Sequence, residues 1–427
     1  MRGGKTVFVA GALPGERIRF RRSRGHRRHD DGELLEVLEP SAARVAPGCP
    51  HFGVCGGCAL QHLEPSAQLL AKEQELRDTL ERVARAAPAS WLAPLAGPAW
   101  GYRRRARLGA KYVRRKGRVV VGFRERAAPY VAELRACPVL AAPAGALIEP
   151  LAELLNALAI RERVPQIEVA VGDDAVAFVL RVLEAPGAED LARLAEFAAH
   201  HRVRLLLQPG GLGSVTGITR GAAAVGAGGE AGSGVAPLHY ALGRFGLRLE
   251  FAPTDFIQVN GPVNEALVAR AVELLAPAPD SRVLDLYCGI GNFTLALARS
   301  AGSVVGVEGE SALIARARAN AAGNGVGNVE FHAADLAAAP DAAAAWLRRP
   351  CTHVLLDPPR SGARAVLPAL ARLAPERILY VSCHPGSLGR DLEMLVHEYG
   401  FRLEAAGVVD MFPHTSHVES LALLART

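Results

Sequence analysis

Cys383 closes an apolar run, ILYVSCHPGS (378–387), that reads as a buried strand stopped by Pro385 and Gly386. In an open α/β sheet, ligands sit outside the carboxyl ends of the strands. A thiol at such an end is either an inert filler of the core or a nucleophile. LLDPPR repeats the pattern, with Asp357 at the end of another apolar run and Arg360 just beyond. VLDLYCGIGNFTL (283–295) runs from a strand through Gly289 and Gly291 into a helix. Glycines there let the backbone turn tightly and approach a ligand. Glu308 ends the next strand, in VVGVEGE, roughly 20 residues on, where a carboxylate can accept both ribose hydroxyls of a nucleoside. A dinucleotide site would want a third glycine at position 294, which is Thr294. Asp285, the Gly-x-Gly turn and Glu308 together therefore favour S-adenosylmethionine over NAD. The plain alternatives are a loop-fixing carboxylate at Asp285 and a surface charge at Glu308.

Four more cysteines form a second constellation. Cys49, Cys55 and Cys58 lie close together in APGCPHFGVCGGCALQH (46–62), and Cys137 stands apart in ELRACPVL. Such a set can hold a [4Fe–4S] cluster or a tetrahedral zinc, and spacing alone does not choose. It is not the close spacing of radical S-adenosylmethionine enzymes. The cysteine count is seven, an odd number. The N-terminus lacks a secretory apolar region, and no apolar run approaches the roughly 20 residues needed to span a bilayer. These features predict a reduced, cytoplasmic protein whose cysteines bind metal or react rather than pair. Cys288 reads as packed beside the glycine turn, and Cys351 is unassigned.

The elements that must position these groups follow from periodicity. The 427 residues allow roughly two to four domains of about 150 residues. Strands at 283–287, 303–308, 329–333, 353–357 and 377–381 alternate with helices, which predicts a doubly wound parallel sheet over 251–427. An amphipathic helix over 263–276 precedes it. Residues 1–45 read as a small β-barrel, in which Arg17-Ile18-Arg19-Phe20-Arg21 puts apolar residues on one face and arginines on the other. Residues 46–250 read as a mixed α+β central domain. Its helix over 66–86 has Leu69, Leu76, Leu80 and Val83 on one face. Tyr102–Arg118 mixes two tyrosines with a dense run of Arg and Lys, suited to single-stranded RNA or to a solvated hairpin. Residues 222–234 are Gly/Ala-rich and read as a flexible loop. Net charge is +6, which matters only where it clusters.

LDLYCGIGNF, LLDPPRSG, YVSCHPGSLGRD and DMFPHTSHVES resemble the motif series of the RNA uracil-C5 methyltransferases, and FIQVN (256–260) matches a motif just upstream. VFVAGALPGERIRF resembles a TRAM domain, and the cysteine set resembles the iron–sulfur site of the branch acting on 23S ribosomal RNA. The likeness covers nearly the whole chain. It implies an α/β, Rossmann-like methyltransferase domain preceded by a TRAM (OB-like) barrel and the central domain. It implies Cys383 as nucleophile on uracil C6 and Glu419 as proton acceptor from C5. Gln258, Tyr287, Asn292, Glu308, Asp335 and Asp357 would hold S-adenosylmethionine, and Cys49, Cys55, Cys58 and Cys137 the [4Fe–4S] cluster. The product would be 5-methyluridine, made by a monomer without membrane contact. Two other readings stand beside this one: action on another ribosomal or transfer RNA uracil, or an iron–sulfur RNA-binding protein of weakened turnover. The family has Asn where His384 stands. The chain opens at MRGGKTVFV without the first strand of a full TRAM domain. His414 and His417 are expected to be structural or RNA-facing.

Overall fold

The computed structural model describes residues 5–126, 128–218 and 235–426. The Gly/Ala-rich segment 222–234 lies outside them. Three strands open the chain: β1 (Thr6–Ala10), β2 (Arg17–Gly25) and β3 (His29–Glu39), in the order β1-β3-β2. The period-two reading of β2 is observed, with Ile18 and Phe20 half-buried and the arginines outside. The arginines are not an open cationic face, however. Arg17, Arg19 and Arg21 pair across the sheet with Glu39, Glu36 and Glu33. Such exposed pairs are worth little each and can be traded for phosphate.

Helix α1 (Pro65–Thr79) continues into a widened turn at Leu80–Ala84. The widening adds residues to the last turn and rotates the face. Ala84 is therefore buried, and Val83, expected on the inner face, is 41% exposed. After β4 (Ser90–Trp91), the central unit is a six-stranded sheet. It is made by β5 (Arg105–Val113), β6 (Arg118–Gly122), β7 (Gln166–Val171), β8 (Val176–Arg181), β9 (Arg204–Gln208) and β10 (Thr216–Gly217). Helices α2 (Ile148–Ala157) and α3 (Ala188–His201) accompany it, with Leu151, Leu155 and Leu194 in the same core as Ile167 and Phe178. Tyr102 is buried, donating to the Pro413 carbonyl at 3.1 Å, and Tyr112 is half-buried with Arg161 over its ring. Neither tyrosine of the basic run is offered for stacking.

A hairpin of β11 (Leu238–Leu242) and β12 (Leu247–Phe251) leads into α4 (Gly261–Leu275). The predicted alternation then appears: β13 (Arg282–Leu286), α5 (Thr294–Leu297), β14 (Ser303–Glu308), α6 (Ser311–Gly323), β15 (Val329–Ala333), β16 (His353–Leu356), α7 (Leu367–Leu373), β17 (Arg377–Ser382), α8 (Pro385–His397), β18 (Phe401–Val409) and β19 (Glu419–Arg426). The sheet order is β15-β14-β13-β16-β17-β19-β18-β4. Strands β13 to β17 run parallel, and β19 runs antiparallel to both neighbours. The chain reverses its direction of travel between β13 and β16, so the ligand crevice falls at their carboxyl ends. Among the described residues no helix is long and apolar enough to cross a membrane.

Helix α1 and β4 precede the central sheet in the chain but pack on this one. Leu76 and Leu80 share a core with Tyr380, Leu392 and Leu395, and β4 pairs with β18. Lys72 is buried with its ammonium 2.7 Å from Asp410 and 3.0 Å from the Phe412 carbonyl. Truncating one partner of a buried pair strands the other charge. Lys72→Ala should therefore lower unfolding free energy by about 3–5 kcal/mol in urea denaturation.

Candidate active site

The glycine turn carries left-handed backbone at Tyr287 (φ 65°), Gly289 (φ 55°) and Gly291 (φ 92°). It is tied to the next strand by Glu308, whose carboxylate accepts from the amides of Gly289 (3.2 Å) and Glu310 (3.1 Å). Asp285 lies wholly buried beneath, with the Thr294 hydroxyl donating to one oxygen and no partner on the other. Thr294 thus does a job that a third glycine could not. Burial lifts the Asp285 carboxyl to about 7, with Glu308 adding to the rise and Thr294 opposing it.

The expected cofactor residues reach this edge in different ways. Gln258 donates to Asp357 at 3.4 Å, joining the FIQVN and DPPR segments. The Tyr287 hydroxyl donates to the Leu336 carbonyl at 3.2 Å. Asp335 accepts from the Ala337 amide at 2.8 Å. Asn292 is spent elsewhere. Its amide exchanges hydrogen bonds with Asn264 at 2.9 and 3.0 Å and accepts from the Tyr240 hydroxyl at 2.9 Å. That leaves its side chain as a brace for the turn.

Cys383 directly follows β17, and Glu419 is the first residue of β19. The register pairs Ser382 with Ser420, so the next step outward sets Cys383 opposite Glu419. Directly opposed residues of antiparallel strands have Cβ atoms about 4.5–5.5 Å apart and share a face. Asp357 enters from the end of β16, the other neighbour of β17. The three groups act on one another. Burial, with Glu419 and Asp357 adding and Arg360 opposing, pushes the Cys383 thiol up to about 11. Asp357 is held well above the usual carboxylate range by burial, then by Glu419 and Asp285, with Gln258 opposing. Burial raises Glu419 as well, offset by His417 and Lys72. His384 takes the helix-capping role. Its side chain accepts from the Ser387 amide at 3.2 Å at the start of α8, a bond that Asn also makes from that position.

His417 was expected to be structural or RNA-facing, and no bond to Arg360 could be read for it from the sequence. Arg360 donates to its Nδ1 at 3.1 Å, and its Nε2 lies 3.7 Å from Glu419 Oε1. The available signal was the His-x-Glu spacing, which in extended chain puts both side chains on one face.

Cys49, Cys55, Cys58 and Cys137 line one pocket together with Gln61, Arg103 and Phe123, and all four are unpaired thiols. Burial raises Cys55 to about 11 and also raises Cys58 and Cys137, and neighbouring thiols add to each rise. Charged thiolates would need a cation there. The Gly57 amide points at Cys55 Sγ at 3.4 Å, the kind of hydrogen bond that iron–sulfur ligands receive. No three of these sulfurs lie within 4.8 Å of one another. One zinc at Zn–S of about 2.3 Å needs sulfurs about 3.8 Å apart. The four sulfurs as placed are spread wider than a single zinc would draw them. Cys288 and Cys351 are buried in the two cores of the catalytic sheet.

The strand order, the antiparallel β19, the glycine turn and the acidic strand ends define an α/β methyltransferase of the kind that uses S-adenosylmethionine. Residues 245–427 match the family described as tRNA (Uracil-5-)-methyltransferase. The chain is 47% identical to a 23S rRNA (uracil(1939)-C(5))-methyltransferase of Methylococcus capsulatus, covering 99% of this chain and 93% of that protein. It is 50% identical to one of the same description from Alkalilimnicola ehrlichii, covering 99% and 92%. A crystal structure of Pyrococcus abyssi tRNA (uracil-54, C5)-methyltransferase with S-adenosyl-L-homocysteine superposes with a TM-score of 0.73 over 99% of this chain and 96% of that one, at 23% identity. The chain belongs to the RNA uracil-C5 methyltransferase family.

The shared field at Cys383 makes a prediction that runs against intuition. Glu419→Gln removes a charge that raises the thiol pKa. The thiolate fraction at pH 8 then increases, so iodoacetamide should alkylate Cys383 several-fold faster than in the wild type, read by peptide mass mapping.

Proposed function

We propose that this protein methylates C5 of a uridine in 23S ribosomal RNA, at the position corresponding to uracil 1939 of its relatives. The observation that carries the reading is the opposition of Cys383 and Glu419 at the ends of β17 and β19. Uracil C5 is a poor nucleophile. Addition of the Cys383 sulfur to C6 turns the ring into an enolate, and C5 becomes carbon-nucleophilic. Bound S-adenosylmethionine supplies the electrophilic methyl group. Glu419 then takes the C5 proton, the C5–C6 double bond re-forms, and the C6–S bond breaks with its electrons returning to sulfur. Gln258 and Asp357 hold the crevice between the glycine turn and Cys383. Glu308 offers carboxylate oxygen to a ribose, Tyr287 a ring beside it, and Asp335 an acceptor for an exocyclic amine. Asn292 acts through its brace on Asn264.

The RNA path in this reading crosses the cysteine loop and the central sheet. A groove of about 1120 Å³ is lined by Arg107, Lys111, Arg115, Lys116, Arg124, Arg126, Phe123 and Tyr130. Tyr130 is 68% exposed and offers the stacking surface that Tyr102 and Tyr112 do not. The N-terminal strands serve as a TRAM-type RNA-binding module. A [4Fe–4S] cluster on Cys49, Cys55, Cys58 and Cys137 ties the 49–58 loop to the central domain, a structural role rather than electron transfer.

Two experiments test the proposal. RNA carrying 5-fluorouracil at the target cannot lose its C5 substituent as a proton, so wild type with S-adenosylmethionine should be trapped as a methylated covalent adduct on denaturing gels. Cys383→Ala should form none while still binding RNA, and Glu419→Gln should accumulate adduct on ordinary RNA. Absence of a wild-type adduct defeats the mechanism. For the cluster, anaerobically purified protein should be brown and iron-loaded, and Cys137→Ser should lose the iron. A colourless zinc-loaded preparation would refute that assignment.

A further inference from the structure

Glu419 is a buried carboxyl set opposite the Cys383 thiol, and burial favours its neutral form. A neutral acid cannot take a proton from C5. Something must keep it ionised, and the groups around it are few. Lys72, on α1, lies behind and is engaged with Asp410 and the Phe412 carbonyl. Arg360, on the loop after β16, does not bond Glu419 but donates to His417 Nδ1 at 3.1 Å. That leaves His417 itself, with Nε2 at 3.7 Å from Glu419 Oε1.

The Arg360 contact fixes which nitrogen carries the proton. A guanidinium has donors and no acceptor, so His417 Nδ1 must accept. A neutral ring accepting at Nδ1 carries its proton on Nε2, facing Glu419. The ring is held in place by Phe412, edge-on at 4.7 Å, and the His417 amide donates to the Thr415 hydroxyl at 3.2 Å.

We propose that His417, locked in its Nε2–H tautomer by Arg360, is a positioning residue that aims an N–H at Glu419 and keeps it a carboxylate for removal of the C5 proton. This rests on the uracil-C5 reading above and adds to it a residue that acts after methyl transfer. In that step the C5–H bond breaks toward Glu419, its electron pair re-forms C5=C6, and the C6–S pair returns to Cys383. His417 neither gains nor loses a proton.

The two halves of the reaction separate the inference from its parent. With target RNA tritiated at uracil C5, single-turnover kinetics read adduct formation from denaturing gels and proton removal from tritium release, across pH 6 to about 9. His417→Ala should form adduct at close to the wild-type rate. It should release tritium on the order of tenfold more slowly at neutral pH, with the profile displaced toward higher pH, because Glu419 loses the partner that lowers its pKa. His417→Gln, which can present an amide N–H to Glu419, should recover most of the rate. Tritium release by His417→Ala at the wild-type rate and pH dependence overturns this inference alone. So does an equal loss in both phases that His417→Gln fails to restore. No adduct in the wild type overturns the parent reading and this one together.

Discussion

The site depends on one pairing, that of β17 with β19. Because β19 runs against its neighbours, the end of one strand meets the beginning of the other, and Ser382 pairs with Ser420. Cys383 and Glu419 then stand side by side without any loop having to bring them together. Register in a packed sheet is stiff, since a one-residue slip would move every side chain to the opposite face and out of the core it fits. Tyr380, Ala422 and Leu424 are all fully buried, so the pairing that aligns thiol and acid is the one the core enforces.

The segment between β18 and β19 is irregular, and the rest of the molecule grips it. Lys72 bonds Asp410 and the Phe412 carbonyl. The Gln68 side chain accepts from the His414 amide at 2.9 Å, and the Ala59 and Leu60 amides both donate to the His414 carbonyl. Tyr102 donates to the carbonyl of Pro413. His414 has φ 66°, a conformation that a non-glycine residue keeps only when its surroundings hold it. The grip comes from the cysteine loop, α1 and the start of the central unit. The cysteine loop is therefore tied by hydrogen bonds at His414 to the segment that leads into Glu419.

Charge near the crevice follows one rule. Asp285, Asp357, Glu419 and Cys383 are all pushed toward their neutral forms by burial, Asp285 further by Glu308, Asp357 by Glu419 and Asp285, and Cys383 by Glu419 and Asp357. A cationic sulfonium donor suits such an acidic edge, and the cations that temper it, Arg360 and Lys72, are each already bonded to another group.

The order of strands and helices, the glycine turn and the acids at strand ends were all legible in the sequence, because each is written in local periodicity and in the turn residues that stop a strand. Cys383, Asp357 and Glu308 could be placed at one edge from that alone. What tertiary structure decided are the partners of side chains far apart in the chain. It spent Asn292 on Asn264 and Tyr240, buried Tyr102 against Pro413, laced the arginines of β2 to the glutamates of β3, turned Val83 outward through a widened helical turn, and joined Arg360 to His417 across 57 residues. Periodicity tells which way a side chain points along its own element. It carries no information on which distant group waits there, and that is fixed only when the packed cores set the elements against one another.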